Sequence, residues 1–119
     1  VRVSVLDNVV SLRGIHIFIE KKKRWESRKY LNWVATLPCS NCGLDDDTVV
    51  AHHLKHRWAP WGGGGTGLKA NDHLVMPLCF TCHNKAHSGD ADVLDWQPQF
   101  IFKTLDKAFR DGVLLFKEE

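Results

Sequence analysis

The strongest constraint on the fold of this chain comes from four cysteines that form two pairs, each with two residues between the partners. The pairs read Cys39-Ser-Asn-Cys42 and Cys79-Phe-Thr-Cys82. A C-x₂-C pair can wrap a tight turn and direct both sulfurs to one Zn²⁺ at about 2.3 Å, and two such pairs complete a tetrahedron. The pattern therefore predicts one structural zinc ion that fastens the two pairs to each other.

Two other interpretations of the cysteines compete with structural zinc. A disulfide framework is typical of small secreted domains, but the opening segment VRVSVLDNVV has neither the basic start nor the long apolar run of a signal peptide. Redox activity of one pair is the other alternative, but neither pair is in a recognisable strand-to-helix redox context in the sequence. Zinc is the favoured interpretation, and we expect a cytoplasmic protein.

The segment between the two cysteine pairs, residues 43–78, is 36 residues long. A simple zinc ribbon has about 15–20 residues at this place, so the insert must carry structure of its own. The whole chain of 119 residues fits one small domain. We therefore expect a single domain over residues 1–119. Because no apolar run approaches the roughly 20 residues of a membrane span, we expect no membrane partner.

Hydrophobic periodicity divides the chain into short strands and helices. The predicted strands are two short segments within residues 1–20, followed by 48–54 and 73–78. The predicted helices are 27–37, 82–88 and 98–112, with Gly89 able to end the second. Residues 57–72, RWAPWGGGGTGLKAND, are predicted to form a flexible loop. These elements predict the α+β class.

Six of the seven histidines lie in the insert and the helix that follows it. His83 and His87 are four residues apart, so a helix brings both imidazoles onto one face. A third ligand from a neighbouring strand would leave coordination positions open, as a catalytic metal site requires. Adjacent residues on a regular strand point to opposite sides, so one of His52 and His53 can bind metal while the other is free as a general base.

This combination resembles the HNH endonucleases of the ββα-metal (His-Me finger) group, especially phage and prophage proteins similar to the recombination-enhancement nucleases with paired C-x₂-C zinc knuckles. The segments that carry the resemblance are KYLNWVATLPCSNCG, AHHLKH and GGTGLKANDHLVMPLCFTCHNKAH. The resemblance implies a small zinc-stabilised ββα-metal (HNH) core over residues 29–88. An N-terminal extension with a short β segment (1–28) and a helical tail (89–119) would flank this core.

The resemblance also implies roles for the histidines. His53 would be the general base that deprotonates the water attacking a phosphodiester phosphorus. The other three, His52, His83 and His87, would hold the catalytic divalent cation, Mg²⁺ or Mn²⁺. An imidazole suits the base because its pKa lies near the operating pH, and a metal suits phosphate because negative charge concentrates on oxygen in the transition state.

The middle residue of the HNH pattern is the weakest match. The family usually has an Asn that orients the base histidine, whereas the K-x-x-D pattern of the recombination-enhancement nucleases suggests Asp72 for this position. Asn71 and Asn84 are neighbours that could take the same role. The resemblance gives His56 and His73 no function.

The net charge of the chain is only +2, but its distribution favours a polyanionic partner. Residues 20–30, EKKKRWESRKY, carry six basic and two acidic side chains, whereas residues 88–119 carry four basic and seven acidic ones. A solvated helix surface is the alternative explanation. The expected DNA contacts are Lys21, Lys22, Lys23, Arg24, Lys55, Arg57 and Lys69.

The leading functional hypothesis is a metal-dependent DNA endonuclease of phage or prophage DNA recombination or processing, acting in the bacterial cytoplasm. Its partners would be DNA and, as a further candidate, a recombinase filament. The alternative is a non-catalytic, zinc-stabilised nucleic-acid-binding module. A purely structural or protein-binding zinc domain is a third hypothesis, and it explains the histidines least.

Overall fold

The computed structural model describes residues 24–55, 58, 61 and 69–117, together with the backbone of residues 9–12 and 15–18. Within these residues the protein is of mixed α+β class, which confirms the predicted class. Its elements in chain order are β1 (Val9–Leu12), β2 (Ile15–Phe18), α1 (Arg28–Val34), β3 (Val50–His53), β4 (Val75–Leu78), α2 (Phe80–His87), α3 (Ala91–Leu94) and α4 (Gln97–Arg110).

Strands β1 and β2 form an antiparallel hairpin near the N-terminus. Val9 lies opposite Phe18 and Leu12 lies opposite Ile15. The prediction of two short strands in this part of the chain is therefore confirmed, and the two residues that join them lie outside the described residues.

Helix α1 begins after Ser27, whose hydroxyl accepts a hydrogen bond from Tyr30 N at 3.1 Å and so caps the helix. It is shorter than the predicted 27–37. Thr36 N and Leu37 N donate to carbonyls only three residues back, at 2.9 and 3.0 Å, so the chain tightens into turns before Pro38. Tyr30 and Val34 face inward, where they pack with residues of β4 and α4.

Strands β3 and β4 pair antiparallel in a second sheet, with His52 opposite Met76 and His53 opposite Val75. All four residues of β4 are buried. Pro77 has no N–H for the ladder, but its carbonyl accepts a hydrogen bond from Ser40 N at 2.8 Å. The segment that carries the first cysteine pair is thereby tied directly to β4.

Helix α2 follows β4 after a single residue, Cys79, so it starts earlier than the predicted 82–88. Gly89 has a φ of +89°, which suits a residue that ends a helix. The short helix α3 was not predicted from periodicity. It begins after Asp90, whose carboxylate accepts hydrogen bonds from Asp92 N and Val93 N at 2.9 and 3.3 Å and so caps the helix.

Helix α4 is the longest described helix and confirms the predicted amphipathic segment. Its buried residues are Gln97, Ile101, Thr104 and Ala108. This face packs α4 against the second sheet, where β4 contacts both α4 and α1. Among the described helices, none has the length and apolar character to cross a membrane.

Candidate functional site

The four cysteines come together as a cysteine cluster made of Cys39, Cys42, Cys79 and Cys82. All four are free thiols, and their sulfurs lie within 4.8 Å of one another. The Cys42 and Cys79 sulfurs are 3.6 Å apart, close to the edge of about 3.8 Å in a tetrahedron of sulfurs around zinc at 2.3 Å. The cluster could therefore bind a metal ion such as zinc.

Local backbone geometry prepares the first cysteine pair for this position. Cys39 N donates to Leu44 O at 2.8 Å, and Gly43 N donates to Cys39 O at 2.9 Å, which closes a tight turn. Gly43 adopts a φ of +81°, a conformation that favours glycine. The second pair lies at the start of α2, where Asn41 Nδ2 donates to the Cys82 sulfur at 3.3 Å and joins the two pairs.

Three histidines form a second group, the histidine cluster of His52, His83 and His87. One nitrogen from each ring can be chosen so that all three lie within 4.8 Å of one another. His83 faces His52 with Nδ1 at 3.2 Å and His87 with Nε2 at 3.0 Å. His83 thus presents a different ring nitrogen to each of its two neighbours.

The three side chains of the histidine cluster differ in their burial. His52 is buried, His83 is half-buried and His87 is exposed. Burial, followed by the charges of His83 and Lys55, lowers the pKa of His52 to about 3. His52 is therefore neutral at physiological pH, which is the state that binds metal.

His53 does not join the histidine cluster but pairs with Asp72. Its Nε2 lies 2.8 Å from Asp72 Oδ1. Of the three candidates for the orienting role, Asp72 makes this contact, whereas Asn71 accepts a hydrogen bond from Trp25 N at 2.8 Å. Asn84 is exposed on α2.

Asp72 is 4% exposed and is surrounded by donors. Ser27 N donates to its Oδ2 at 2.9 Å, and an Arg24 guanidinium nitrogen donates to its Oδ1 at 2.7 Å. Burial alone would raise the pKa of this carboxyl, but the hydrogen bonds from His53, Ser27 and Arg24 hold it below its usual range. An ionised carboxylate therefore stands behind His53.

A cleft of about 330 Å³ brings the histidine cluster and His53 to one surface. Its lining residues are Ala51, His52, His53, Lys55, Lys69, His83 and His87. The Lys55 ammonium lies 3.3 Å from His87 Nδ1. Two of the lysines that were expected to contact DNA thus border the cleft that holds the histidines.

Gln97 at the start of α4 fixes the backbone of Lys55 and was not singled out from the sequence. Its Oε1 accepts from Lys55 N at 2.9 Å, and its Nε2 donates to Lys55 O at 2.7 Å and to Leu94 O at 3.0 Å. Gln97 is fully buried. The signal that could have revealed it is a polar residue on the same helical face as Ile101 and Ala108.

The remaining expected DNA contacts have different positions. Arg24 directs its guanidinium at Asp72 and Glu26, with 2.7 and 2.5 Å between the paired atoms. His73, which has no expected role, packs its ring edge-on against Trp25 with 5.4 Å between ring centres. The other expected contacts, Lys21, Lys22, Lys23 and Arg57, lie outside the described residues, as does His56.

A family model described as "Protein of unknown function (DUF968)" matches residues 13–112 of this chain. The chain belongs to the DUF968 family. Its match takes in the cysteine cluster and the histidine cluster, and also Arg24 and Gln97, which lie on either side of residues 29–88.

This DUF968 chain is also similar to "Uncharacterized protein YdfU" of Escherichia coli strain K12. The two are 39% identical over 99 residues, which cover 81% of this chain and 27% of the relative. The chain thus spans about a quarter of the length of the curated relative it matches. No solved structure matches the chain.

Proposed function

We propose that this DUF968 chain is a metal-dependent endonuclease that hydrolyses phosphodiester bonds in DNA. One observation carries the proposal. The histidine cluster, a further histidine backed by a buried carboxylate, and two lysines all meet at one cleft. A metal-ligand set, a general base and cationic side chains are the components that phosphodiester hydrolysis requires.

His53 is the proposed general base. An ionised Asp72 can only accept hydrogen bonds, so the 2.8 Å contact assigns the proton of His53 to Nε2. The other ring nitrogen, Nδ1, then carries a lone pair that can take a proton from water. His53 is half-buried and lines the cleft, so it can reach a water placed against a bound phosphate.

The histidine cluster is the proposed site of the catalytic cation, with Mg²⁺ and Mn²⁺ as the first candidates. A divalent cation held there would contact the scissile phosphate and stabilise the leaving 3′ oxygen. Three neutral imidazoles leave coordination positions for water and substrate. Because imidazole suits transition metals better than Mg²⁺, Ni²⁺ and Co²⁺ belong in the test beside the first two ions.

The cysteine cluster is the proposed structural zinc site. It connects the turn before β3 to the start of α2, and His83 follows Cys82 directly in sequence. Zinc at this point would fix the strand and the helix that supply the histidine cluster. Binding of zinc to such a site stabilises the folded state directly.

Lys55 and Lys69 are the proposed phosphate contacts at the cleft. Their ammonium groups supply sequence-independent attraction to a DNA backbone. The basic residues Lys21, Lys22, Lys23 and Arg57 stay predicted contacts, and a recombinase filament stays a candidate partner of the complex with DNA.

The decisive experiment is nicking of supercoiled plasmid and of branched oligonucleotides by the zinc-loaded protein. We expect cleavage with added divalent metal and none in metal-free buffer. His53→Ala protein, purified in parallel, reports any contaminating nuclease. If the wild-type protein binds DNA but cuts none of the substrates with any of the four ions, the non-catalytic nucleic-acid-binding module replaces the nuclease.

A further inference from the structure

The segment just before α1, residues 24–27, forms an N-terminal strap across residues 70–72. Trp25 supplies the backbone contacts, since its N donates to the Asn71 side chain at 2.8 Å and its carbonyl accepts from Asp72 N at 2.9 Å. Ser27 N and Arg24 complete the strap by donating to the two oxygens of Asp72. Contacts in both directions fix the register of the strap.

The guanidinium of Arg24 is bound on two sides by carboxylates. One terminal nitrogen donates to Asp72 Oδ1 at 2.7 Å and the other donates to Glu26 Oε2 at 2.5 Å. The Arg24 side chain is about one-third exposed, at 32%, while Asp72 is almost fully buried. A cation paired in this way is poorly placed to contact phosphate, although it belongs to the basic run that favoured DNA binding.

Asp72 Oδ1 is shared between Arg24 and His53, which lie 2.7 and 2.8 Å away. A carboxylate held only by the imidazole could rotate about its last side-chain bond and lose that contact. With Ser27 N on Oδ2 and Arg24 on Oδ1, both oxygens are held and the Asp72 plane is fixed. The order of the contacts is therefore Arg24, Asp72, His53 and then the cleft.

We infer that Arg24 is a positioning residue of the nuclease site, acting through Asp72 to hold His53 in the orientation and tautomer that a base needs. This inference rests on the proposed function. Arg24 is not among the residues that line the cleft, so its contribution is to geometry, as with the outer-shell residues that orient metal ligands and catalytic bases. Arginine suits the place because its planar fork can bind two carboxylates with separate nitrogens.

Arg24→Gln tests the inference, with Arg28→Gln as its matched control. Arg28 is an exposed arginine in the first turn of α1, so the control removes the same charge four residues away. We expect Arg24→Gln to lower kcat about 10–100-fold, the usual effect of an outer-shell partner, with KM for DNA nearly unchanged. Arg28→Gln should leave kcat at the wild-type value.

A phosphate-contact role for Arg24 predicts the opposite division, a raised KM with wild-type kcat, and that result would overturn the inference. Arg24→Lys serves if the glutamine variant does not fold. Its single ammonium keeps the charge but cannot bind Asp72 and Glu26 through separate nitrogens, so we expect a smaller loss confined to kcat. Failure of both variants to fold would make Arg24 a structural residue and would also overturn the inference.

A spectroscopic readout separates this inference from the proposed function. In ¹⁵N-labelled wild-type protein, the ring nitrogens of His53 should report a proton on Nε2, and His53→Ala assigns the signals. Arg24→Gln should mix the two tautomers, whereas Arg28→Gln should not. An unchanged tautomer in Arg24→Gln refutes the positioning role even if the enzyme is active, and a changed one supports it even if no DNA is cut.

Discussion

The cysteine cluster and the histidine cluster share helix α2 but differ in their access to solvent. Three of the four cysteines are buried, whereas the three histidines grade from buried to exposed beside the cleft. Four sulfurs form a closed set that is typical of structural zinc, and three nitrogens with open positions are typical of a catalytic metal. Under the proposed function, helix α2 would carry a structural zinc site at its start and ligands of the catalytic cation further along.

The two clusters also depend on each other unequally. Cys79 and Cys82 are buried at the start of α2, so their loss would remove two proposed zinc ligands from the helix that carries His83 and His87. Loss of a histidine would leave the cysteine turn and its hydrogen bond from Ser40 N to Pro77 O of β4 in place. Mutations in the two clusters should therefore fail in different ways.

The largest effect is expected for Cys79→Ser, which removes one buried, proposed zinc ligand at the start of α2. Binding free energy at a structural zinc site acts as folding free energy, and a domain of this size has only about 5–15 kcal/mol of net stability. We expect about one zinc ion per chain in the wild-type protein. The variant should lose this zinc and unfold at a temperature far below the wild-type midpoint. Metal analysis and thermal unfolding measure both.

Ser40→Ala is the control, because Ser40 lies between two other proposed zinc ligands, Cys39 and Cys42, and the substitution keeps the backbone N–H that donates to Pro77 O. It should keep zinc and stability. Zinc-free wild-type protein with full stability, or Cys79→Ser with an unchanged midpoint, would remove the fastening role of the cysteine cluster.

The next effect concerns the reactive side, where His53→Ala removes the proposed base. Loss of a general base costs about 10²–10⁴ in rate, so plasmid nicking should fall by that factor. Zinc content, unfolding midpoint and DNA affinity should stay close to wild type, because His53 belongs to neither cluster. His73→Ala is the control, since it removes a half-buried histidine that packs on Trp25 and does not line the cleft. Its nicking rate should stay within a few-fold of the wild-type rate, because substitutions away from the site usually have small effects.

His83→Ala should produce a smaller and reversible loss, since it removes one ligand of the histidine cluster rather than the base. Nicking should fall at low divalent metal and recover in part at high Mn²⁺, while the zinc content of the cysteine cluster stays unchanged. A metal titration of the nicking rate measures this. Recovery of His53→Ala by metal instead would mean that His52 and His53 have exchanged roles.

Both clusters could be predicted from the sequence because their ligands repeat at short, regular intervals. Cysteines three apart and histidines four apart are local signals, set by the geometry of a turn and of a helix. The opposite facing of His52 and His53 also follows from the alternation of a strand. The sequence could thus predict which residues assemble, and the strands and helices that carry them.

The supports behind the site had no such local signal. Arg24 and Asp72 are 48 residues apart, and Lys55 and Gln97 are 42 residues apart. A run of basic residues shows the sign of the local charge but not which acidic residue each side chain pairs with. The sequence therefore predicts Arg24 as a phosphate contact and gives no sign of its pairing with Asp72. Gln97 was hidden within an amphipathic helix whose periodicity predicts burial but not a side chain that binds backbone.

The smallest effect is expected for Gln97→Leu, which tests whether the histidine cluster is stabilised by contacts that do not depend on the cysteine cluster. Leucine is similar in size but makes none of the three hydrogen bonds, so it leaves Lys55 N and O without their buried partner. Loss of such a partner costs about 1–3 kcal/mol, and denaturant unfolding should report a decrease in that range. Because Lys55 lies beside His87, metal affinity at the histidine cluster should fall as well, with the zinc content of the cysteine cluster unchanged. Gln99→Leu, an exposed glutamine two residues along α4, should alter neither quantity. If Gln97→Leu instead loses zinc, the cysteine cluster and the histidine cluster depend on the same contacts, and the proposed separation between a structural and a catalytic metal site does not hold.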